Sequence, residues 1–302
     1  MSLASGVGSV VVAALRLRTN RRVTKVAIAA LILAAPPPVM AQGHGPTYGL
    51  STPTLGRGDW SVDAAVMGRF LDGTRAAMLR TMLSYGITPD VQVSASLPMP
   101  LYTRADVPPV RGFSRMAATP DVEFLLGWRF HRRGMDVGVR RESTLWLGFD
   151  YPADAVRAGV RTAPGLYAGV VTGYASRSVY AWAGVLYRRY MTPSGPASDH
   201  PGDAAMATLV LGYRPGLFRA DYPRPDWRAF VEIVAENNGR DRVAAIEQAD
   251  SGSRQLLAGA TLLGLYGAWG ISGGPLFPVY RRANGVQPRE RLRIVVNTTF
   301  WF

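Results

Sequence analysis

The chain has 302 residues, no cysteine, 33 glycines, 22 prolines and a formal net charge of +13. Without cysteine there can be no disulfide, thiolate metal site or cysteine nucleophile, and such a chain suits an envelope compartment where stray thiols would be oxidised. Hydrophobic residues make up 48% of the chain, yet no apolar run reaches the roughly 18 residues that a spanning helix needs.

The first element is a targeting segment. Arg21, Arg22 and Lys25 precede a ten-residue apolar stretch over 26–35, which Pro36, Pro37 and Pro38 break. Val39-Met40-Ala41 offers small-residue cleavage chemistry, so residues 1–41 read as a secretory signal peptide cleaved after Ala41. General secretion fits the flanks better than a twin-arginine route. Residues 1–20 form an extension, and a start near Val23 is an alternative. Removing Arg16, Arg18, Arg21, Arg22 and Lys25 lowers the formal charge from +13 to +8. The basic residues left are all arginine and scattered, not the continuous patch that nucleic acid requires.

Residues 42–59 are rich in Gly, Pro and Thr and show no periodicity. They read as a periplasmic lead-in, with a short plug as the less favoured alternative. From Trp60 onward the chain alternates with period two, the mark of strands with one apolar and one polar face. Over 60–70, Trp60, Val62, Ala64, Val66 and Phe70 oppose Ser61, Asp63, Met67 and Arg69. Residues 77–85 return after an Asp72-Gly73 turn, and 91–97 follow the tight turn Thr88-Pro89-Asp90. A Pro-rich loop over 98–120 comes next. Strands are predicted over 121–131 and 137–151 around a turn at 132–136. Further strands follow over 165–174, 179–190, 204–213, 227–236, 255–266, 268–277 and 291–302.

That last stretch organises the rest. Leu292, Ile294, Val296, Thr298, Phe300 and Phe302 share one face; Arg291, Arg293, Val295, Asn297, Thr299 and Trp301 share the other. A terminal strand that ends on Phe302, with Phe300 behind it, resembles the closing strand of bacterial outer-membrane barrels, whose C-terminal aromatic is read by the assembly machinery. Twelve strands are predicted, with both chain ends on one side. Short connections (88–90, 132–136, 175–178, 267) alternate with long ones (98–120, 152–164, 191–203, 237–253); 214–226 and 72–73 are the exceptions. Short periplasmic turns with longer external loops are the barrel pattern, and a soluble sandwich has no reason to follow it. Aromatics also gather at strand ends. Tyr85, Tyr174, Tyr180, Tyr213, Trp227, Tyr266, Trp269 and Phe302 fall at the periplasmic side; Tyr102, Tyr151, Tyr167, Tyr187, Tyr190 and Tyr280 fall at the outer side. The predicted fold is therefore all-β: a single antiparallel transmembrane β-barrel over 60–302, with outer-membrane lipid around it.

Three stretches taken together carry a family resemblance: Leu55-Gly56-Arg57-Gly58-Asp59-Trp60, the run from Ser84 to Val93, and the run from Gly273 to Tyr280 followed by Asn284 to Pro288. With the closing Phe they resemble the transporter-like outer-membrane proteins of the MetA-pathway of phenol degradation family. The resemblance implies a barrel and a neighbourhood to aromatic-compound breakdown. It supplies no catalytic residues, and the chain from Arg104 to Pro225 matches none of its patterns.

Little in the sequence points to chemistry. His44, His131 and His200 do not form a metal-ligand spacing, and no phosphate-cradling loop or cofactor motif is present. The one enzymatic alternative is the loop over 194–203, where Ser198, Asp199, His200 and Asp203 hold the parts of a nucleophilic triad. They sit within one loop, whereas preorganised triads draw on separate elements, so no catalytic residue is expected. The inward-facing charges are more informative. Arg80, Glu123, Arg129, Arg140, Glu142, Arg228, Glu232 and Arg293 are predicted to face the lumen, where mixed signs imply ion pairs across a narrow interior. Twelve strands lie between the eight of a side-chain-filled barrel and the 16–18 of open porins. The expected function is passive passage of small solutes, aromatic or apolar ones among them. A non-conducting structural or surface-binding barrel is the alternative, and a rim hydrolase near Asp199 and His200 a second.

Overall fold

A computed structural model describes residues 45–104, 122–136, 138–151, 164–191, 201–219, 224–243 and 245–302. The signal-peptide reading over 1–41 and the residues Ser198, Asp199 and His200 lie outside them.

Twelve strands close into one antiparallel barrel. They are β1 (Trp60–Leu71), β2 (Thr74–Thr88), β3 (Val91–Arg104), β4 (Val122–Asp136), β5 (Val139–Tyr151), β6 (Gly165–Ala175), β7 (Val179–Tyr190), β8 (Ala204–Tyr213), β9 (Asp226–Asn238), β12 (Ser253–Tyr266), β13 (Trp269–Ala283) and β14 (Glu290–Trp301). A small hairpin of β10 (Arg242–Val243) and β11 (Ile246–Glu247) sits in the connection before β12. Each barrel strand pairs with its neighbour in sequence, and β1 closes on β14. In hydrocarbon, backbone groups have no water to bond, so a closed sheet without free edges is the arrangement strands can adopt. A strand of about 12 residues, rising about 3.3 Å each and tilted about 40°, crosses roughly 30 Å.

Facing follows the alternation. Val66, Leu83, Val93, Leu126, Trp128, Val231 and Val296 are exposed on the outside. Residues on the alternate positions of these strands and of β5, among them Met67, Ser84, Gln92, Glu123, Trp146, Glu232 and Val295, are buried within. The C-terminal strand zips as its pattern predicts. The Trp60 N–H donates to the Phe302 carbonyl at 2.8 Å and the Phe302 N–H to the Trp60 carbonyl at 3.1 Å. The Trp60 and Phe302 rings stack with centroids 6.5 Å apart, and Phe300 packs on Trp269 at 4.6 Å.

Several expectations change. Strand β3 continues through Pro98 and Pro100 to Arg104 instead of ending at Leu97. Its pairing with β4 stops at Ser96, so both prolines lie beyond the last described pair on that side, where a missing donor costs little. Strand β4 runs to Asp136, past the predicted 132–136 turn; a register shift between Arg129 and His131 lets it continue. Three tyrosines assigned to the girdles, Tyr167, Tyr180 and Tyr190, are buried inside instead. Each falls on the inward register of its strand, and register outranks the preference of an aromatic ring for the interface. Tyr151, Tyr187, Tyr213, Trp227, Tyr266, Trp269 and Tyr280 are exposed on the outside.

Candidate functional site

The site is the lumen, and the first thing in it is backbone. Residues Thr47, Tyr48, Leu50, Ser51, Thr52, Thr54 and Leu55 are all buried, and each is bonded to or packed against the inner wall. This differs from the favoured lead-in reading of 42–59. The physical reason is that the wall supplies acceptors for five of the segment's N–H groups, those of Thr47, Tyr48, Gly49, Leu50 and Leu55, and donors for the Ser51 and Thr52 carbonyls.

The central partner is Glu232 of β9. Its Oε1 accepts from the Thr47 N–H at 2.8 Å and the Thr261 hydroxyl at 2.5 Å. Its Oε2 accepts from the N–H groups of Tyr48 at 2.8 Å and Gly49 at 2.7 Å. Glu232 is fully buried, and among the described residues no cation pairs with it. Three successive backbone N–H dipoles and a hydroxyl take the place of a counter-ion. Gly49 leaves room for this approach: a Cβ would meet Val210 Cγ2 at 2.3 Å, so a larger residue must push that side chain or the segment aside.

From that anchor the segment crosses the barrel. The Tyr48 hydroxyl donates to the Gly274 carbonyl at 2.6 Å on the β13 wall. Thr208 accepts from the Leu50 N–H at 3.3 Å. Trp146 Nε1 donates to the Ser51 carbonyl at 3.2 Å, and Thr144 donates to the Thr52 carbonyl at 2.6 Å. Trp182 Nε1 donates to the Thr52 hydroxyl, which donates in turn to Glu142, both at 3.2 Å. Gln92 accepts from the Leu55 N–H at 3.0 Å. The chain then leaves over Gly86, where a Cβ would come within 1.8 Å of the Gly56 carbonyl oxygen, and enters β1. The three stretches that carry the family resemblance thus lie along this path: Leu55 to Trp60 is its exit, Gly86 the residue it crosses, and Gly274 the acceptor for Tyr48.

Ion-pair clusters brace the wall. In the first, Arg80 pairs with Glu123, Arg188 with Glu123 at 3.3 Å, and Arg188 with Asp150 at 3.1 Å; Arg188 also lies 5.2 Å over the Tyr167 ring. In the second, Arg293 bridges Glu236 at 2.7 Å and Glu290 at 2.9 Å, and Arg69 meets Glu290 at 2.5 Å. Near the short-turn end, Glu142 receives Arg129 at 3.1 Å, Arg140 at 3.4 Å and Arg132 at 3.9 Å. There Asp226 also receives Arg214 at 2.6 Å and Arg228 at 3.0 Å.

Of the residues singled out from sequence, Arg80, Glu123, Arg129, Glu142, Glu232 and Arg293 are buried inside the barrel. Arg140 and Arg228 are partly open, with side chains 38% and 12% exposed. Glu232 is the one predicted ion-pair member that instead holds backbone. Arg69, Asp150, Arg188, Glu236 and Glu290 are also buried inside but lie outside that predicted set, although the alternation puts Arg69 and Glu236 on the polar faces of their strands. Glu290 lies just before the strand predicted over 291–302. A bulge at Phe70/Leu71 places it opposite Leu71 and turns it inward, while Arg291 stands outside and bonds Asp72 at 2.6 Å. The described end of the hydrolase loop, Asp203, accepts from the Tyr187 hydroxyl at 2.8 Å and the Tyr190 N–H at 3.2 Å.

The filling is uneven. On one side Trp146, Trp182, Phe230 and Val210 of the wall share a core cluster with Leu50 of the segment. On the other a cavity of about 120 Å³ runs beside it, lined by Ser61, Asp63, Arg80, Ser84, Asn297 and Thr299 among others.

No family model and no curated protein matches the chain. Solved structures do. The COG4313 outer membrane channel from Pseudomonas putida F1 superposes with a TM-score of 0.59 at 12% identity, over 86% of this chain and 100% of that one. The NanC porin follows at 0.47 and 9% identity, over 78% and 98%. The KdgM porin gives 0.42 and 8%, over 80% and 99%. The fold is that of a closed twelve-stranded antiparallel β-barrel, which the chain shares with that channel.

Proposed function

We propose that this protein is an outer-membrane channel for small solutes, aromatic or apolar ones among them, whose lumen is narrowed by the segment Gly45–Asp59. One observation carries the reading: the segment is held inside by hydrogen bonds, three of them to the Glu232 carboxylate, and by packing, with its only covalent link to the wall at β1, so it can leave a wall that stays closed without it. The wall has its own ion pairs and its own ladder, and neither passes through the segment. The superposition with an outer membrane channel supports the same reading. Residues 1–41 are removed on export, lipid surrounds the sheet, and Phe300 and Phe302 present the closing strand to the assembly machinery.

The test is planar-bilayer conductance of the mature chain against a variant lacking residues 45–55. The deletion should raise single-channel conductance several-fold and increase the flux of small aromatic solutes into liposomes. Two silent barrels would favour the second reading, a non-conducting barrel, which the aromatic packing on one side of the lumen supports.

A further inference from the structure

We propose that the outer wall of β4 and β5, at the short-turn end, is a binding site for one glycerophospholipid with an anionic headgroup. This site is on the lipid-facing surface and is independent of whether the lumen conducts.

Two separate features meet there. The first is an apolar groove of about 260 Å³ lined by Val91, Leu126, Trp128, Leu145 and Leu147. The second is a pair of arginines farther toward the turn in the same outward columns, past the His131–Ser143 pair. Arg133 and Arg141 stand opposite each other in the ladder, and both are exposed. Like charges directly opposite on one face of a sheet destabilise it. The nearby arginines do not share this problem: Arg132 and Arg140 alternate to the inside and reach Glu142 at 3.9 and 3.4 Å. Among the described residues no carboxylate pairs with Arg133 or Arg141. A third cation is close. Arg177, in the β6–β7 turn, lies across the turn glycine Gly138, where a Cβ would meet its Nε at 3.1 Å.

The spacing sets the ligand's chemistry. Arg141 and Leu145 are four residues apart on one strand, about 13 Å along it. A ligand that fills both places needs an anion at one end and a hydrocarbon chain at the other. Basic side chains at a membrane surface attract anionic lipid heads, and arginine stems can lie along the apolar wall while their guanidinium groups reach the interface. The short turns, with Phe302 beside Trp60 at the same end, place this end at the periplasmic leaflet, where such a lipid enters from the bilayer itself.

Native mass spectrometry of the mature barrel, offered phosphatidylglycerol and phosphatidylethanolamine together, tests the site. The wild type should hold one phosphatidylglycerol under activation that strips phosphatidylethanolamine. The double variant Arg133→Gln/Arg141→Gln should lose that preference roughly tenfold or more, while Arg282→Gln, at the opposite end, should keep it. Heat-modifiability on a gel checks that each variant is folded. Glycerol 3-phosphate, which has the charge but no chain, should not compete. Equal retention of the two lipids by the wild type would overturn the proposal. So would an unchanged preference in the folded double variant, or effective competition by glycerol 3-phosphate.

Discussion

The two sides of the lumen are built from the same alternating strands but filled in opposite ways. Against β5 to β9 the inner segment meets Trp146, Trp182, Phe230 and Val210, all nearly without exposure. Against β1, β2 and β14 it faces Ser61, Asp63, Ser84, Asn297 and Thr299 across a cavity. On the first side the segment is packed as in a protein interior; on the second it is merely near the wall. The difference teaches that one face holds the segment in place and the other leaves room beside it.

The largest effect should come from breaking the anchor between them. Glu232→Gln keeps one oxygen but replaces the other with an amide donor, so two of the four converging donors lose their acceptor. A buried donor left without a partner costs about 1–3 kcal/mol. Conductance recorded in bilayers should rise several-fold toward that of the deletion, with the barrel still heat-modifiable. A current as low as that of the wild type would show that the carboxylate is not what holds the segment. Gly49→Ala should act on the same contact from the segment's side, since its Cβ would displace Val210 or the backbone from Glu232.

The packed face comes next. Trp146→Ala removes a fully buried ring and a donor to the Ser51 carbonyl; substitutions of this kind cost roughly 3–5 kcal/mol. Unfolding in urea should begin at distinctly lower concentration, whereas Asp63→Asn on the polar face should leave it nearly unchanged. The polar face is read by selectivity instead. Asp63 accepts from Thr299 at 2.5 Å and Asn297 at 3.2 Å beside the cavity, so neutralising it should reduce any cation preference seen in reversal potentials across a salt gradient. A shift in the opposite direction would place the route elsewhere.

The smallest effect lies outside the lumen. Asp72, in the β1–β2 turn, is held below its ordinary value of 3.8 by the Arg291 hydrogen bond. A carboxyl lowered in the folded state contributes stability above its unfolded value and loses it as pH falls through the folded one. The group is fully exposed, so Asp72→Asn should cost little at neutral pH. That small difference in urea midpoint should vanish at strongly acid pH.

The wall of this molecule was readable in the sequence because a closed sheet imposes a strict in-and-out alternation on it. Leu83, Val93, Leu126, Val231 and Val296 must face outward, and the period of two then fixes what lies inside, Arg80, Glu123, Glu142 and Arg293 among them. What broke the reading were departures from that period. The bulge at Phe70/Leu71 hid Glu290, and the shift at Arg129/His131 lengthened β4. The occupant of the lumen was harder still. Its decisive donors are the N–H groups of Thr47, Tyr48 and Gly49, which every residue but proline carries and no residue type announces. Only Glu232, an inward acid with no arginine near it in the pairing register, could have hinted that something other than a cation would reach it.

The clasp on Glu232 also dates itself. Thr47 and its acceptor are 185 positions apart, and Thr261, which shares the carboxylate, comes later still. The four-way clasp is complete only once β9 and β12 stand side by side, so the N-terminal segment gains its full seat after most of the wall has been built.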